Sequence, residues 1–336
     1  MWTSRVRVLT AIPLLAVLAA LSLSACGERM DGTVDERVPS ALVRVAIDQS
    51  DPERLLRYYF GGYVSPRPAD PFEAGILSER AGRLYVDRET LDEHHPGASD
   101  ALADVDGDGT IRWEEFEAFI DRSYHAARSA PDSVAEWFDE AGFEAGDADW
   151  MHVEVDGVMT TARRHVYVRK ADVRAALEQF DDRGGQLAYP IGTTFFGRHV
   201  VEGRLVETTI MHKRADDQWD FFVYDADGGI ADSTSTPPRA LKSPVQCVGC
   251  HFGDKLLEPE RSFPGTVRPG PHGPRALYVD DELRDAVVVR YFDEHRRRSD
   301  DVLGLYGTLF VSRLRAERRA GTISDTDAAL LDSLLL

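Results

Sequence analysis

One pentapeptide constrains this chain more than any other stretch: Cys247-Val248-Gly249-Cys250-His251. The spacing C-x-x-C-H is that of covalent haem c attachment. Two thiols placed two residues apart can each form a thioether to a haem vinyl group. The next residue, His251, then lies under the iron as its proximal imidazole ligand. The competing reading is half of a zinc site. That reading needs a second ligand pair, and the chain holds no other C-x-x-C. Of the three cysteines, two belong to this motif and the third is Cys26. None remains for a structural disulfide.

Cys26 is accounted for by the N-terminus. Arg5 and Arg7 form a basic start, and an apolar run from Val8 to Leu23 follows, closed by small residues. This is the form of an export signal. Pro13 and the shortness of the run argue against a permanent membrane span. The ending Leu23-Ser24-Ala25-Cys26-Gly27 resembles a bacterial lipobox. The resemblance implies cleavage before Cys26 and lipidation of its thiol, and thus an anchor that does not span the membrane. An ordinary signal peptide with an incidental cysteine is the alternative. The expected location is the bacterial cell envelope, lipid-anchored, either periplasmic or outer-membrane; Gly27 rather than Asp after the cysteine leaves the second destination open. Removal of residues 1–25 takes the formal net charge from −19 to about −21. So acidic a surface argues against nucleic acid as a partner and against an anionic membrane face. It favours basic partners or divalent cations, or else serves solubility alone.

The second motif is Asp104-Val105-Asp106-Gly107-Asp108-Gly109-Thr110-Ile111-Arg112-Trp113-Glu114-Glu115. It satisfies the EF-hand calcium pattern D-x-[DN]-x-[DN]-G-x₅-E at every position. Asp104, Asp106 and Asp108 supply carboxylate oxygens, and Gly109 permits the sharp turn. Thr110 offers its backbone carbonyl, and Glu115 closes the site with both oxygens. Arg112 stands where a water often bridges to the ion. Trp113, Phe116, Phe119 and Ile120 are spaced along one face of an exiting helix. EF-hands usually pair. The nearest echo is Gly82-Arg83-Leu84 followed by Asp87-Arg88-Glu89, which lacks the upstream acids and so would hold no metal. A structural ion is the expectation rather than a switch. An acidic turn that binds nothing is the alternative.

Along the chain, five regions are expected: a signal over 1–25, a tether with short helices over 26–70, an EF-hand region over 71–146, a haem c domain over 147–268 and a helical region over 269–336. Ser40 to Ile47 reads as a short docked helix. Asp51 and Pro52 start a helix whose face is Leu55, Leu56, Tyr59 and Phe60, and Gly61-Gly62 ends it. Ser65 to Pro71, with three prolines, reads as a linker. Ser133 to Ala141 is helical. His152 to Met159 alternates about an Asp-Gly turn, a hairpin signal. Strands are expected at His165–Val168, Thr193–Val200, Arg204–Lys213 and Trp219–Tyr224, with a helix over Ala171–Phe180 and a turn at Asp225–Gly229. Phe263 to Pro274 is a second linker. Helices follow over Asp281–Arg298 and Asp301–Arg319, and a last one is capped by Ser324. The fold class is α+β: a helical EF-hand region, an antiparallel β-rich monohaem domain, then a helical tail.

One succession of segments carries a family resemblance. It runs from Arg164-His165-Val166-Tyr167-Val168 and the helix after it to the turn Tyr189-Pro190-Ile191-Gly192-Thr193. It continues through His212-Lys213-Arg214 and Trp219-Asp220-Phe221-Phe222-Val223-Tyr224 to the haem motif. This order resembles the cytochrome P-460 and cytochrome c′-beta family over about residues 160–265. The resemblance implies a β-rich monohaem domain with His251 proximal and a distal face able to bind small ligands. Cytochrome P-460 enzymes cross-link a lysine to the haem, and that position aligns with Gly197 here, which speaks against hydroxylamine oxidation. Arg164 falls where a distal arginine can occur and is the one candidate catalytic residue.

The sixth iron position separates the functions. Met159, Met211, His199 and His212 are the candidates to fill it, and a methionine or histidine there makes a low-spin electron carrier. A pocket of Phe195, Phe196 or Phe222 would leave the iron open to NO, CO or peroxide. Each of these residues is equally explained as core. The leading expectation is an exported, lipid-anchored monohaem cytochrome with haem c and Ca²⁺, transferring electrons to a partner protein or binding a small gaseous ligand. A haem-dependent peroxidase or nitrogen-compound oxidase is one alternative, and a calcium-dependent binding or scaffold lipoprotein is another.

Overall fold

A computed structural model describes residues 41–48, 52–156, 162–183, 189–235, 238–240, 247, 267–270, 273–276 and 303–335. Its class is α+β. The described residues belong to one compact unit. Among the described residues, no helix is long and apolar enough to cross a membrane.

The first sheet has the order β2-β3-β1-β4. Strand β1 spans Leu42–Val45, where the sequence suggested a helix. Val43, Val45 and Ile47 are buried, while Leu42 and Arg44 are half-exposed. That is a period of two, and β-branched residues at alternate positions suit a pleated surface. β2 (Leu77–Arg80) and β3 (Arg83–Asp87) form a hairpin. Its turn, Ala81-Gly82, has positive φ at both residues, as a two-residue hairpin turn requires. The faint second calcium loop is therefore a hairpin. Its Asp87 caps helix α2 (Arg88–His94), accepting from Thr90 N. Strand β4, Thr110–Ile111, runs parallel to β1. α1 spans Pro52–Gly61 and buries Leu56, Tyr58, Tyr59 and Phe60. The proline-rich stretch after it is tied down: Ala69 N donates to Gly61 O at 3.3 Å, Asp70 pairs with Arg57, and Asp70 caps Phe72 N at 2.8 Å.

The second sheet is a five-stranded antiparallel meander, β5-β6-β7-β8-β9. The strands are Trp150–Asp156, Arg163–Arg169, Thr194–Val201, Arg204–Lys213 and Trp219–Asp225. A short helix α3 (Ala98–Ala101) and two longer ones, α4 (Trp113–Ala127) and α5 (Val134–Ala141), precede it. The pairing register divides the sheet into two faces. Trp150, Tyr167, Phe196, Ile210, His212 and Phe222 share one face. Trp137 and Phe138 of α5 and Phe143 beyond it stack on that face at ring separations of 4.9–5.4 Å. Met151, Val153, Val166, Phe195, Gly197, His199 and Met211 share the other.

Helix α6 (Lys170–Arg183) links β6 to β7. It packs with α7 (Leu303–Ala320) and α8 (Asp325–Leu335). Arg174 Nε meets Asp327 Oδ1 at 2.7 Å, and Ser324 caps α8 through Asp327 N at 3.1 Å. Two further hairpins are small: β10 (Ser233–Ser235) with β11 (Pro238–Ala240), and β12 (Val267–Gly270) with β13 (Gly273–Ala276). The second lies where a linker was expected. Met159 and the helix expected over Asp281–Arg298 lie outside the described residues.

A buried charge cluster fastens α1 and α4 to the meander. Asp220 of β9 accepts at Oδ1 from Arg128 Nε at 3.2 Å, Arg214 Nη1 at 2.9 Å and Tyr124 Oη at 3.2 Å. The two guanidiniums also donate to the last turn of α1, Arg128 to Tyr59 O at 2.8 Å and Arg214 to Tyr58 O at 3.0 Å. Gly62 makes this possible, because a Cβ there would lie 2.4 Å from Arg128 Cζ. Burial pushes the Asp220 carboxyl up, but Arg214 and Arg128 outweigh it and hold it below the usual carboxylate range. With the folded value depressed, the stabilisation is present above the ordinary aspartate range and is lost as pH falls through the lower folded value. Asp220→Ala leaves buried Arg128 without its carboxylate and buried Arg214 with Asp216 alone, and is expected to cost about 3–5 kcal/mol in urea unfolding. Asp332→Ala, at an exposed position pairing the likewise exposed Arg318, is expected to stay within about 0.5 kcal/mol. A cost below about 1 kcal/mol for Asp220→Ala would show that the cluster does not hold the layers together.

Candidate functional site

The acidic loop lies between α3 and α4. Its turn is built from side chain-to-backbone bonds. Asp104 accepts from Gly107 N at 2.9 Å and Gly109 N at 2.7 Å. Asp106 accepts from Asp108 N at 3.1 Å, and Asp108 from Thr110 N at 2.9 Å. Gly109 sits at φ +78°, where side-chain-bearing residues are strained. Carboxylate oxygens of Asp104, Asp106 and Asp108 all lie within 4.8 Å of one another. Glu115, in the first turn of α4, reaches back over the loop; its oxygens accept from Val105 N at 2.6 Å and Arg112 N at 3.0 Å. The strand after the turn is fixed by β1, since Arg44 N donates to Gly109 O and Ala46 N to Ile111 O. Successive carbonyls of a strand point opposite ways, so the Thr110 carbonyl is turned from β1 towards the loop.

The donor set therefore fits calcium: four carboxylates and one carbonyl, all oxygen, around one turn. Two features depart from a paired EF-hand. Ile111 is fully buried, but its strand partner is β1, not a second loop. Arg112, the residue at the water-bridging position, places its guanidinium between Asp106, at 3.4 Å, and Asp108. Its hydrogen bond to Asp108 is the main reason that carboxyl is held below its usual range.

The haem motif is described only at Cys247. This thiol is half-buried and packs against the core. Cys250, His251 and the lipobox Cys26 lie outside the described residues. Cys247 comes close to Tyr59 of α1. Burial first, then the neighbouring Tyr58 and Cys247, raise the Tyr59 hydroxyl well above its usual range. That hydroxyl is buried without a hydrogen-bond partner among the described residues. An orphaned polar group beside the first thioether position fits a site shaped for an additional group.

The iron-ligand candidates fall on different faces of the meander. His212 faces α5, with Trp137 at a ring separation of 5.2 Å and Nδ1 2.9 Å from Thr194 Oγ1. His199 is on the opposite face and buried; its Nδ1 lies 3.0 Å from Glu207 Oε1, off hydrogen-bond alignment, and Nε2 lies 3.5 Å from Thr209 Oγ1. Burial holds His199 below the usual imidazole range, against the pull of Glu207. Met211 shares that face, between Phe195 and Phe221 in register. Phe196 and Phe222 lie under α5, whereas Phe195 packs with Tyr189 and Trp219 on the other side. The three phenylalanines do not line one pocket. Arg164 stands cross-strand from His199, half-buried, with its Nε unpartnered among the described residues. At Gly197 a Cβ would lie 2.5 Å from Thr209 Oγ1, so no lysine fits there without moving Thr209.

Two clefts meet at Gly192 and His212. One, of about 520 Å³, lies beside His94, His95, Arg128, Lys213 and Arg214; the other, of about 250 Å³, is lined by Trp137, Trp150, Arg169 and Asp172. Burial raises the Asp172 carboxyl. Sequence reasoning missed the Arg128–Asp220–Arg214 cluster: Arg214 lies 6 residues from the aspartate, but Arg128 lies 92 residues away in chain order, a separation no local pattern reports. It also missed His152, Glu154 and His165, which the structure brings together. Their signal was present as His-x-Glu on one hairpin strand. Comparisons of the chain with family models, with curated proteins and with solved structures found no match.

Three outcomes test the loop. Calcium titrated by calorimetry is expected to bind one site, and at a hundred times Kd to add about 2.7 kcal/mol to unfolding stability. Glu115→Gln is expected to weaken that affinity by at least roughly tenfold, since losing a ligand costs more than losing a residue that merely orients one. Arg112→Gln removes the internal cation and should bind calcium more tightly than wild type; equal or weaker binding contradicts the reading of Arg112 as a competitor.

Proposed function

We propose that the protein is an exported, lipid-anchored monohaem c-type cytochrome with a calcium-holding EF-hand loop. Its order is an EF-hand region, a β-rich haem domain and a helical tail. The observation that carries this reading is the single C-x-x-C-H in a chain whose only other cysteine follows an export signal. Haem c would be held by Cys247 and Cys250, with His251 as proximal ligand, and would supply a one-electron couple and an iron able to take up a small ligand. The chain's own residues set the surroundings. Tyr59 and the core of α1 and α4 exclude water beside the first thioether. Calcium would be held by Asp104, Asp106, Asp108, Thr110 and Glu115. Cys26 would carry the lipid, placing the protein on the envelope membrane, periplasmic or outer.

Between electron transfer and small-ligand binding, the second is favoured by how the candidate ligands are engaged. Both nitrogens of His199 face partners, Met211 lies between aromatic neighbours, and His212 bonds Thr194. The open-iron reading keeps NO and CO as ligands and leaves Arg164 as the one distal candidate for oxidoreductase chemistry.

The test is the absorption spectrum of protein matured with haem c, oxidised and reduced, before and after CO. A high-spin spectrum that shifts with CO is expected. Sharp low-spin bands unmoved by CO would return the assignment to electron transfer. Absence of covalent haem from the wild type would overturn the central proposal. Cys247→Ala is expected to leave a single thioether, visible as a red-shifted pyridine haemochrome band.

A further inference from the structure

The β5–β6 hairpin carries a group of donors that the haem and calcium readings do not use. His152 and Glu154 are two residues apart on β5 and so share a face. His165 on β6 is directly opposite Glu154. His152 Nε2 and His165 Nδ1 are 3.0 Å apart, and His165 Nδ1 is 3.7 Å from Glu154 Oε1. One donor atom from each residue lies within 4.8 Å of the other two. Ligands at about 2.0–2.1 Å from a tetrahedral metal stand about 3.3 Å from one another. A sub-ångström opening of the histidine pair and a modest swing of the carboxylate would therefore complete three corners.

The surroundings hold these donors in place. The His152 ring stacks on Tyr167 at 4.6 Å, nearly parallel. Its carbonyl accepts from Arg313 of α7 at 3.0 Å, which pins the strand. Arg163 donates to Glu154 Oε2 at 3.3 Å and leaves Oε1, the oxygen nearer His165, for another partner. Arg163 and Arg313 are engaged on oxygen atoms, and Arg198 is the residue cross-strand from His165. At 3.0 Å the two ring nitrogens share one proton between them, which a metal ion would displace.

We propose that His152, Glu154 and His165 form a second metal site, for a borderline divalent transition metal such as zinc or copper. Two imidazoles and one carboxylate suit such ions, and calcium and magnesium, which select oxygen, are disfavoured. Three protein ligands leave a fourth position for water or an exogenous ligand. The site lies on the β-rich region, separate from the acidic loop, and does not depend on the haem assignment.

The test titrates zinc into the full chain by calorimetry. Thiols not in haem linkage are alkylated, and millimolar calcium occupies the acidic loop. Copper(II) electron paramagnetic resonance then counts nitrogen donors. One site with two imidazole nitrogens is expected, and His165→Ala is expected to weaken binding by roughly tenfold or more. Glu154 is exposed, so Glu154→Gln keeps the fold and should also weaken binding. Wild-type affinity in both variants, or a copper spectrum with one nitrogen, would overturn the proposal.

Discussion

Asp220 is the point on which three structural layers converge. A single carboxylate oxygen receives Arg128 from α4, Arg214 from the end of β8 and Tyr124 from α4. The two arginines pass through to the last carbonyls of α1. Those carbonyls have no partner within their own helix, so the cluster satisfies a helix end as well as a buried charge. Asp216 takes the remaining face of Arg214 at 2.6 and 2.9 Å. Each group in isolation would be costly to bury; together they are compensated because every charge has hydrogen-bonded partners of opposite sign. The cluster also fixes register. Asp220 faces the helices only if β9 pairs with β8 as observed, and a one-residue slip would put it on the other face.

What was legible in the chain and what was not follows from range. The five strands of the meander and helix α6 appear where alternation, turns and periodicity placed them. Those signals are local, and the sheet is sequential, so neighbours in chain order are neighbours in space. The acidic loop was equally legible, because its ligands and its turn glycine lie within twelve residues. β1 was misread as helix because its four residues are too few to separate the two periods; pairing with β3 on one side and β4 on the other decides it. The linker expected at Ser65–Pro71 shows the opposite error. Proline content spoke for a boundary, but Asp70 pairing with Arg57 and capping Phe72 makes it a packed corner. Likewise Gly197, aligned by resemblance to a haem-linking lysine, is explained by contact: Thr209 occupies the space its side chain would take.

The acidic loop and the charge cluster are mechanically one system. Helix α4 begins at the loop's closing acid, Glu115, and ends where Arg128 enters the cluster. Fifteen residues span about 22 Å. Between them Phe116 and Phe119 stack with Phe60 of α1, and Tyr124 with Phe222 of the meander. A calcium sensor works by letting its exiting helix swing and expose an apolar groove. Here the swing would tear Arg128 and Tyr124 from Asp220 and separate three aromatic contacts. The strand end is equally bound, since β4 is paired to β1 through Gly109 and Ile111 carbonyls. An ion in this loop would therefore act against local unfolding of β4 and the first turn of α4, where the like charges of Asp104, Asp106, Asp108 and Glu115 gather. Arg112 already offsets part of that repulsion from within the chain. A loop whose entry strand and exit helix are both anchored can gain stability from calcium while its neighbours keep one arrangement, and that is the physical difference between a structural ion and a switch.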